Sequence, residues 1–456
     1  MGFAGAYLRK AGVRGPLVQT DPHPGLNIIV TIPVYNESGL ERCLDSLFSC
    51  LPASPGTSGS GSTDPGPSVP VHAEVLILVN APKDAPAEVL EQNRLTMESA
   101  RSWISGHPHP SAGFHIFEDH SFSGKKSGVG LARKILMDEA SRRFSKAGNP
   151  LGIIASLDAD TVVERSYLSV LVNHFQNTGA EGCSIYYEHP LSPEEDPDPE
   201  KHRQAVYDAI AQYELHLRYY VNSVRATGYP YAYHTVGSAF AVRADVYCME
   251  GGMNRRRGGE DFYFIQKVSQ RGYWSECNST LVLASPRPSG RAPFGTGRMI
   301  HRLVKEKPEL ATYNPASFRI LREFFSQIGE LYDRSSALEM GLLAPSQGED
   351  RFPFVLTEFL RIHDFRWALN EIRSNSASPA AFQKRFWRWF NWLRIMKFLH
   401  FARENGYPDI EVTDAVKDYL RTVSIYRYPR RKLPSKARDL LILTRLVDLS
   451  ADLLPG

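Results

Sequence analysis

Two acidic clusters carry the chemistry this chain can be expected to perform. The first is Asp158-Ala159-Asp160, directly after the apolar run Ile153-Ile154-Ala155-Ser156-Leu157. Two carboxylates one residue apart at the end of a buried strand can turn to the same side of a tight turn. Their hard oxygens suit Mg²⁺ or Mn²⁺ and, through the ion, a diphosphate. The same spacing also serves as an ordinary capping pair. The second cluster is Gly258-Gly259-Glu260-Asp261, followed by Phe262, Tyr263, Phe264 and Ile265. A helix beginning there presents Glu260 and Asp261 in its first turn, beside glycines that allow close approach of a ligand. Asp261 is then placed to accept a proton from an attacking hydroxyl. A carboxylate at that place also simply complements the helix dipole.

The elements that must hold these residues read as alternating strands and helices. Residues 28–35 form a near-continuous apolar run, as in a strand buried on both faces. Asn36 or Ser38 can cap a helix whose Leu40, Leu44, Leu47, Phe48 and Leu51 make one apolar stripe. Further strands are expected at Val75–Asn80, around Phe114–Phe117, and at Ile153–Leu157; a helix with Val129, Ala132, Leu136, Ala140 and Phe144 on one face lies among them. Such alternation predicts a mainly parallel sheet, with ligands beyond the carboxyl ends of its strands. Residues 52–70, rich in Gly, Ser and Pro, read as a disordered insertion, and His189–Glu200 as a Pro- and acid-rich loop. A long helix follows, with Val206, Ile210, Tyr213, Leu217, Tyr220 and Val224 as its core face. Beyond about residue 300 helical patterns dominate. The expected organisation is an extension over 1–26, an α/β domain over 27–300 and a helical domain over 301–456.

Two basic stretches remain. Arg287, Arg291 and Arg298 stand in a glycine- and proline-rich segment after the α/β pattern, where they can offset the charge of a leaving diphosphate or form a solvated linker. Residues 382–401 mix aromatic and basic side chains, with Phe382, Phe386, Trp389, Leu393 and Met396 on one helical stripe. That stripe reads as core of the helical domain, with membrane-surface docking or stacking on a sugar or lipid as alternatives. Gly124-Lys125-Lys126-Ser127-Gly128 lacks the first glycine of a phosphate loop.

Composition bounds these readings. The chain has 456 residues, is 42% hydrophobic and 23% charged, and carries a formal net charge of +3, so its total charge gives no footprint for nucleic acid. Five scattered cysteines without a CxxC pair fit reduced thiols better than a disulfide framework or zinc site. The opening residues lack a signal-peptide run, and no stretch reaches membrane-spanning length, which places the protein in the cytoplasm, with peripheral contact at the inner membrane face through 382–401 as an option.

Taken in order, Thr31–Glu37, Gly128–Lys134, Leu157–Asp160, Gly237–Arg243 and Gly251–Asp261 resemble the successive motifs of glycosyltransferase family 2. The resemblance covers roughly residues 27–275. It implies a GT-A fold and inverting transfer of a hexose from a nucleoside diphosphate sugar, with a UDP-sugar favoured, to a hydroxyl acceptor on a glycan, lipid or small molecule. It further implies that Pro33, Tyr35 and Glu37 lie against the nucleotide, that Arg133 contacts the nucleotide side, and that Asp158 and Asp160 hold Mn²⁺ or Mg²⁺. Gly237, Ser238 and Gly259 would line the sugar and acceptor side, and Asp261, with Glu260 beside it, would be the base. Three positions depart from the pattern. Asn80 stands where an Asp is usual, and can both donate to and accept from a uracil edge. Lys134 replaces an Asn. The strand after the base motif lacks a metal-ligating His, leaving His301 as the nearest candidate. A sugar nucleotidyltransferase and a catalytically inactive sugar-nucleotide binder are the competing expectations.

Overall fold

The computed structural model describes residues 2–13, 15–52, 70–123, 128–199, 202–256, 258–290, 295–306, 308–333, 353–422 and 433–450. The insertion expected over 52–70 lies outside these residues except for Pro52 and Pro70, as do Arg291 and the stretch 124–127. The chain divides into two compact units, one of residues 1–207 and 235–302, the other of 208–234 and 303–456.

The first unit is built on β1 (Ile28–Val34), whose seven residues are all buried. A run of β-branched residues without a polar side to show to water must be covered on both faces. It pairs in parallel with β2 (Ala73–Pro82) and β4 (Ile153–Ser156), and β3 (Ala112–Phe122) adds in parallel beyond β2. With β5 (Val162–Val163), β6 (Gly182–Glu188), β7 (Phe240–Arg243) and β8 (Trp274–Leu283) the sheet has eight strands in the order β3-β2-β1-β4-β7-β6-β8-β5. Only β7 and β5 run antiparallel to their neighbours. The chain moves outward from β1 to β2 and β3, then returns to the other side of β1 for β4. The order reverses there, between β1 and β4. In α/β sheets this is where a crevice opens at the carboxyl ends of the strands. β3 is longer than the apolar piece Phe114–Phe117 suggests, because an edge strand only partly covered needs few apolar residues.

The helices of this unit are α1 (Gly5–Lys10), α2 (Leu40–Ser49), α3 (Ala87–Gly106), α4 (Val129–Ala147) and α5 (Tyr167–Thr178), followed by the start of α6 (Gln204–Ala226), then α7 (Ala244–Met249), α8 (Glu260–Ser269) and most of α9 (Thr296–Glu306). Neither Asn36 nor Ser38 caps α2. Asn36 takes a left-handed backbone (φ 51°), and the N-cap position is Gly39, whose N–H donates to Glu37 Oε1 at 2.9 Å. On α4 the expected face of Ala132, Leu136, Ala140 and Phe144 is buried, but so is a charged face. The N-terminal segment covers it. Tyr7 and Tyr247 donate to Asp138 at 2.6 and 2.7 Å, Lys134 Nζ reaches the same carboxylate at 2.9 Å, and Arg143 Nε donates to Glu74 at 2.6 Å. Lys134, the departure from the Asn of the motif, is thus the partner of a buried aspartate. All five cysteines are free and buried.

Among the described residues, the second unit is helical apart from the short pair Ala311–Thr312 and Ile410–Glu411. It takes most of α6 besides the C-terminal segment, so its chain is not one continuous stretch. Of the core face expected on α6, Val206, Ile210 and Val224 are buried, while Tyr213, Leu217 and Tyr220 are only partly so, and Glu214 and Arg218 are fully buried beside them. Their partners explain this. Arg218 Nε donates to Glu214 at 2.7 Å and Arg218 also pairs with Asp448, while Arg445 Nη2 donates to Glu214 at 2.8 Å. Asn222 donates to Asp448 at 2.6 Å. Burial alone would raise Asp448, yet Arg218 holds it well below the usual carboxylate range.

The aromatic stretch 382–401 is not one helix. It breaks after Trp389, and Asn391 caps a second helix by accepting from Arg394 N–H. The break turns the side chains, so that Phe382, Phe386, Phe390, Trp392, Ile395 and Phe398 form the buried set, and Trp389, Leu393 and Met396 are half-buried. Arg394 lies over the Trp389 ring at 3.8 Å. No helix among the described residues is long and apolar enough to cross a membrane.

Phe386→Ala should therefore destabilise the second unit by about 3–5 kcal/mol through the cavity it leaves, and Trp389→Ala by clearly less, as read from urea denaturation. Arg218→Met, which takes the guanidinium from buried Asp448 and leaves Glu214 to Arg445 alone, should cost about 3–5 kcal/mol; near-parental stability would show the network to be dispensable.

Candidate active site

The two acidic clusters meet on one buried guanidinium. After β4 the chain turns at Asp158, where Thr161 N–H and Oγ1 both return to the Asp158 carbonyl at 3.2 and 2.7 Å. That turn presents Asp158 and Asp160, their side chains 38% and 30% exposed. Arg133, in the first turns of α4 and only 4% exposed, pairs with Asp158 through Nη2 and with Glu260 through Nη1, and its Nε donates to Ser156 Oγ at 3.1 Å. Ser156 in turn donates to the Gly237 carbonyl at 2.8 Å. A β-carbon at Gly237 would stand 2.7 Å from Arg133 Nη2, so only glycine lets the backbone lie against the guanidinium. Ser238 beside it is buried.

Gly259, at φ 71°, holds the N-cap position of α8 in a conformation that side-chain-bearing residues rarely adopt. It releases Glu260 and Asp261 into the first turn. Glu260 is buried and committed to Arg133. Asp261 is partly exposed and accepts from Phe262 N–H at 2.7 Å. Burial first, then the neighbouring Glu260 charge, push its carboxyl up to about 7, against the pull of Arg133. A carboxylate with that affinity for protons is matched to exchange them near neutral pH.

A second guanidinium organises the other acids. Arg287, following β8, donates to Glu37 through both Nη atoms, one of them at 3.1 Å, and to Asp160 Oδ2 at 3.0 Å. Its side chain is 23% exposed. Glu37, Asp160 and Arg287 line a cleft whose wall also holds Arg42, Asp196 and His202. Arg42 pairs with Asp198 at 2.8 Å.

The remaining candidates fall elsewhere. Pro33 is buried in β1 against Leu78, and Tyr35 is half-buried on the loop that follows. Asn80 is buried near the end of β2, with Asn93 Nδ2 donating to its carbonyl at 3.1 Å. Arg298 and His301 are exposed on α9. Among the described residues no three His, Cys, Asp or Glu side chains gather as a metal shell, so His301 does not complete one with Asp158 and Asp160. Sequence reasoning missed Ser156, whose one signal is a hydroxyl inside an apolar strand. It also missed Asp196 and His202, which stand in and just after an acid-rich loop without periodicity.

No model of a known protein family matches the chain, and no curated protein matches it. Solved structures similar to it include TarS 1–349 from S. aureus in complex with UDP-GlcNAc, at 13% identity over 84% of this chain and 93% of that one, with a TM-score of 0.37. Against the longer TarS chain, this chain spans 53% of its length. Others are the mannosyltransferase PcManGT from Pyrobaculum calidifontis in complex with GDP-Man and Mn²⁺ (14% identity, 99% and 95% covered, TM-score 0.33) and GalNAc-T7 with UDP, GalNAc and Mn²⁺ (14% identity, 77% and 57% covered, TM-score 0.34). At identities and TM-scores this low the likeness assigns neither family nor activity.

Proposed function

We propose that the first unit is a GT-A glycosyltransferase resembling family 2, moving a hexose from a nucleoside diphosphate sugar, with UDP-sugars favoured, to a hydroxyl acceptor with inversion. The observation that carries this reading is the placement of both acidic motifs at the reversal of strand order between β1 and β4. Tyr35–Glu37 follows β1, Asp158–Asp160 follows β4, and Arg133 draws Glu260-Asp261 to the same place.

In this reading Asp261 takes the proton of the acceptor hydroxyl as its oxygen attacks the anomeric carbon, and the bond to the diphosphate breaks on the opposite face. Glu260 and Arg133 act as positioning residues, holding Asp261 and Asp158 in register. Arg287 lies where its charge can pass from Asp160 and Glu37 to a diphosphate. The donor set of Asp158 and Asp160, two partly exposed carboxylates from one turn, would suit Mn²⁺ or Mg²⁺. Such an ion, when bound, would stabilise the departing diphosphate.

Asp160→Asn should weaken metal-dependent binding of UDP in calorimetry and lower turnover together. Asp261→Asn should keep donor affinity while turnover falls by roughly 10²–10⁴; near-full transfer by that variant sinks the assignment of the base.

Because Asp261 must be ionised to act, turnover should rise with pH through about 7. Its raised folded pKa also sets a sign for stability. The folded chain keeps a proton that the unfolded chain loses near pH 3.9, so stability tied to this group is complete below that pH and is lost as pH rises to about 7. Asp261→Asn should thus melt progressively higher than the parent from about pH 4 to about pH 7, with a constant gap above. A gap independent of pH would contradict the raised carboxyl.

Arg287→Gln removes a cation that pairs with both Glu37 and Asp160, so Mn²⁺ binding in the absence of nucleotide, followed by electron paramagnetic resonance, should tighten several-fold. Equal or weaker binding would show that Arg287 does not compete with an ion for these carboxylates.

A further inference from the structure

The cleft wall contains a polar atom that the mechanism above does not use. His202 has a side chain only 2% exposed, and its Nδ1 lies 2.6 Å from Asp196 Oδ2. The same oxygen accepts from Tyr207 OH at 2.9 Å, and Asp196 Oδ1 accepts from the Asp198 N–H at 2.9 Å. An ionised carboxylate only accepts, so Nδ1 carries the proton; in the neutral form of the ring, Nε2 is then left with a lone pair. Nε2 is buried and has no hydrogen-bond partner. An unsatisfied buried acceptor is a cost in the ligand-free protein that a suitable donor removes on binding. His202 is part of the cleft wall, so a ligand seated in the cleft is the group that can approach its ring.

The charge of the wall selects the donor's chemistry. Four carboxylates (Glu37, Asp160, Asp196, Asp198) stand in the cleft against two guanidiniums (Arg42, Arg287). A further anion beside Asp196 and Asp198 is disfavoured, whereas a neutral hydroxyl can donate to a lone pair at no electrostatic cost. We propose that His202, oriented by Asp196, is a specificity residue that accepts a hydrogen bond from a sugar hydroxyl of the bound nucleotide sugar, on its ribose or its hexose. This rests on the reading of the cleft as the donor site.

The test is calorimetry with UDP, UDP-glucose, GDP and GDP-mannose in the presence of Mn²⁺, on the parent, His202→Ala and His202→Gln. His202→Ala should weaken binding about five- to tenfold, and His202→Gln, which restores an acceptor oxygen, should recover part of it. Loss with both the diphosphate and its sugar assigns the ribose; loss only with the sugar-bearing ligand assigns the hexose. Affinities within twofold of the parent for every ligand overturn the inference and leave the donor-site reading standing. Failure of the parent to bind any of the four overturns that reading, and the inference with it. Nitrogen NMR of ¹⁵N-histidine-labelled parent protein tests the tautomer without a variant. An unprotonated Nε2 that shifts when the binding ligand is added is expected, and a protonated Nε2 in the ligand-free protein overturns the proposal.

Discussion

A guanidinium taken out of water must find its counter-charges, and at Arg133 that requirement shapes the whole centre of the first unit. Three hydrogen-bonding directions of the fork are filled by Ser156, Asp158 and Glu260, from β4, the turn after it and the start of α8. These segments are far apart in the chain, yet none can shift without uncovering a buried charge, which is far costlier than losing an apolar contact. The glycine at 237 is a corollary, since the fork needs backbone rather than a side chain against its face. The acidic groups that face a ligand are thereby held by a residue that need not touch it.

The two arginines of the site are physically different devices. Arg133 is sealed in between two carboxylates, so it behaves as part of the frame. Arg287 is partly exposed and sits in a proline-flanked segment, with two carboxylates sharing one cation. Solvent screens its pairs and lowers the cost of parting them. Pre-organisation and adaptability are thus divided between two side chains of the same type, by burial alone.

What could be read in the sequence was what its local patterns record. The buried strand at 28–34, the α4 face of Ala132, Leu136, Ala140 and Phe144, and the start of a helix at Glu260 all follow from periodicity and glycine placement. The acidic pairs were visible because their spacing is short. The buried charges of α6 were not, because Glu214 and Arg218 look like solvent residues until Arg445 and Asp448 are placed beside them. The break at Asn391 was hidden for the opposite reason: an unbroken aromatic run outweighed a single capping residue. The proton affinity of Asp261 depends on Glu260, Arg133 and depth of burial together, and no spacing rule encodes that sum. His202 acquires meaning only once Asp196 is seen to hold its ring.

The pairing of Arg218 with Asp448 spans 230 residues, and that of Glu214 with Arg445 spans 231. A ribosome therefore releases α6 long before the helix Ala437–Leu449 that neutralises it. At translation rates of about 5–20 residues per second, the nascent chain spends on the order of ten seconds or more with an acid and a base that cannot yet be buried in their final company. During that interval the sheet of the first unit can be completed, since its last strand ends at Leu283. The second unit cannot. Chains cut short near the C-terminus would thus leave a finished sheet attached to an unfinished helical bundle, an exposed apolar species of the kind that quality-control proteases recognise.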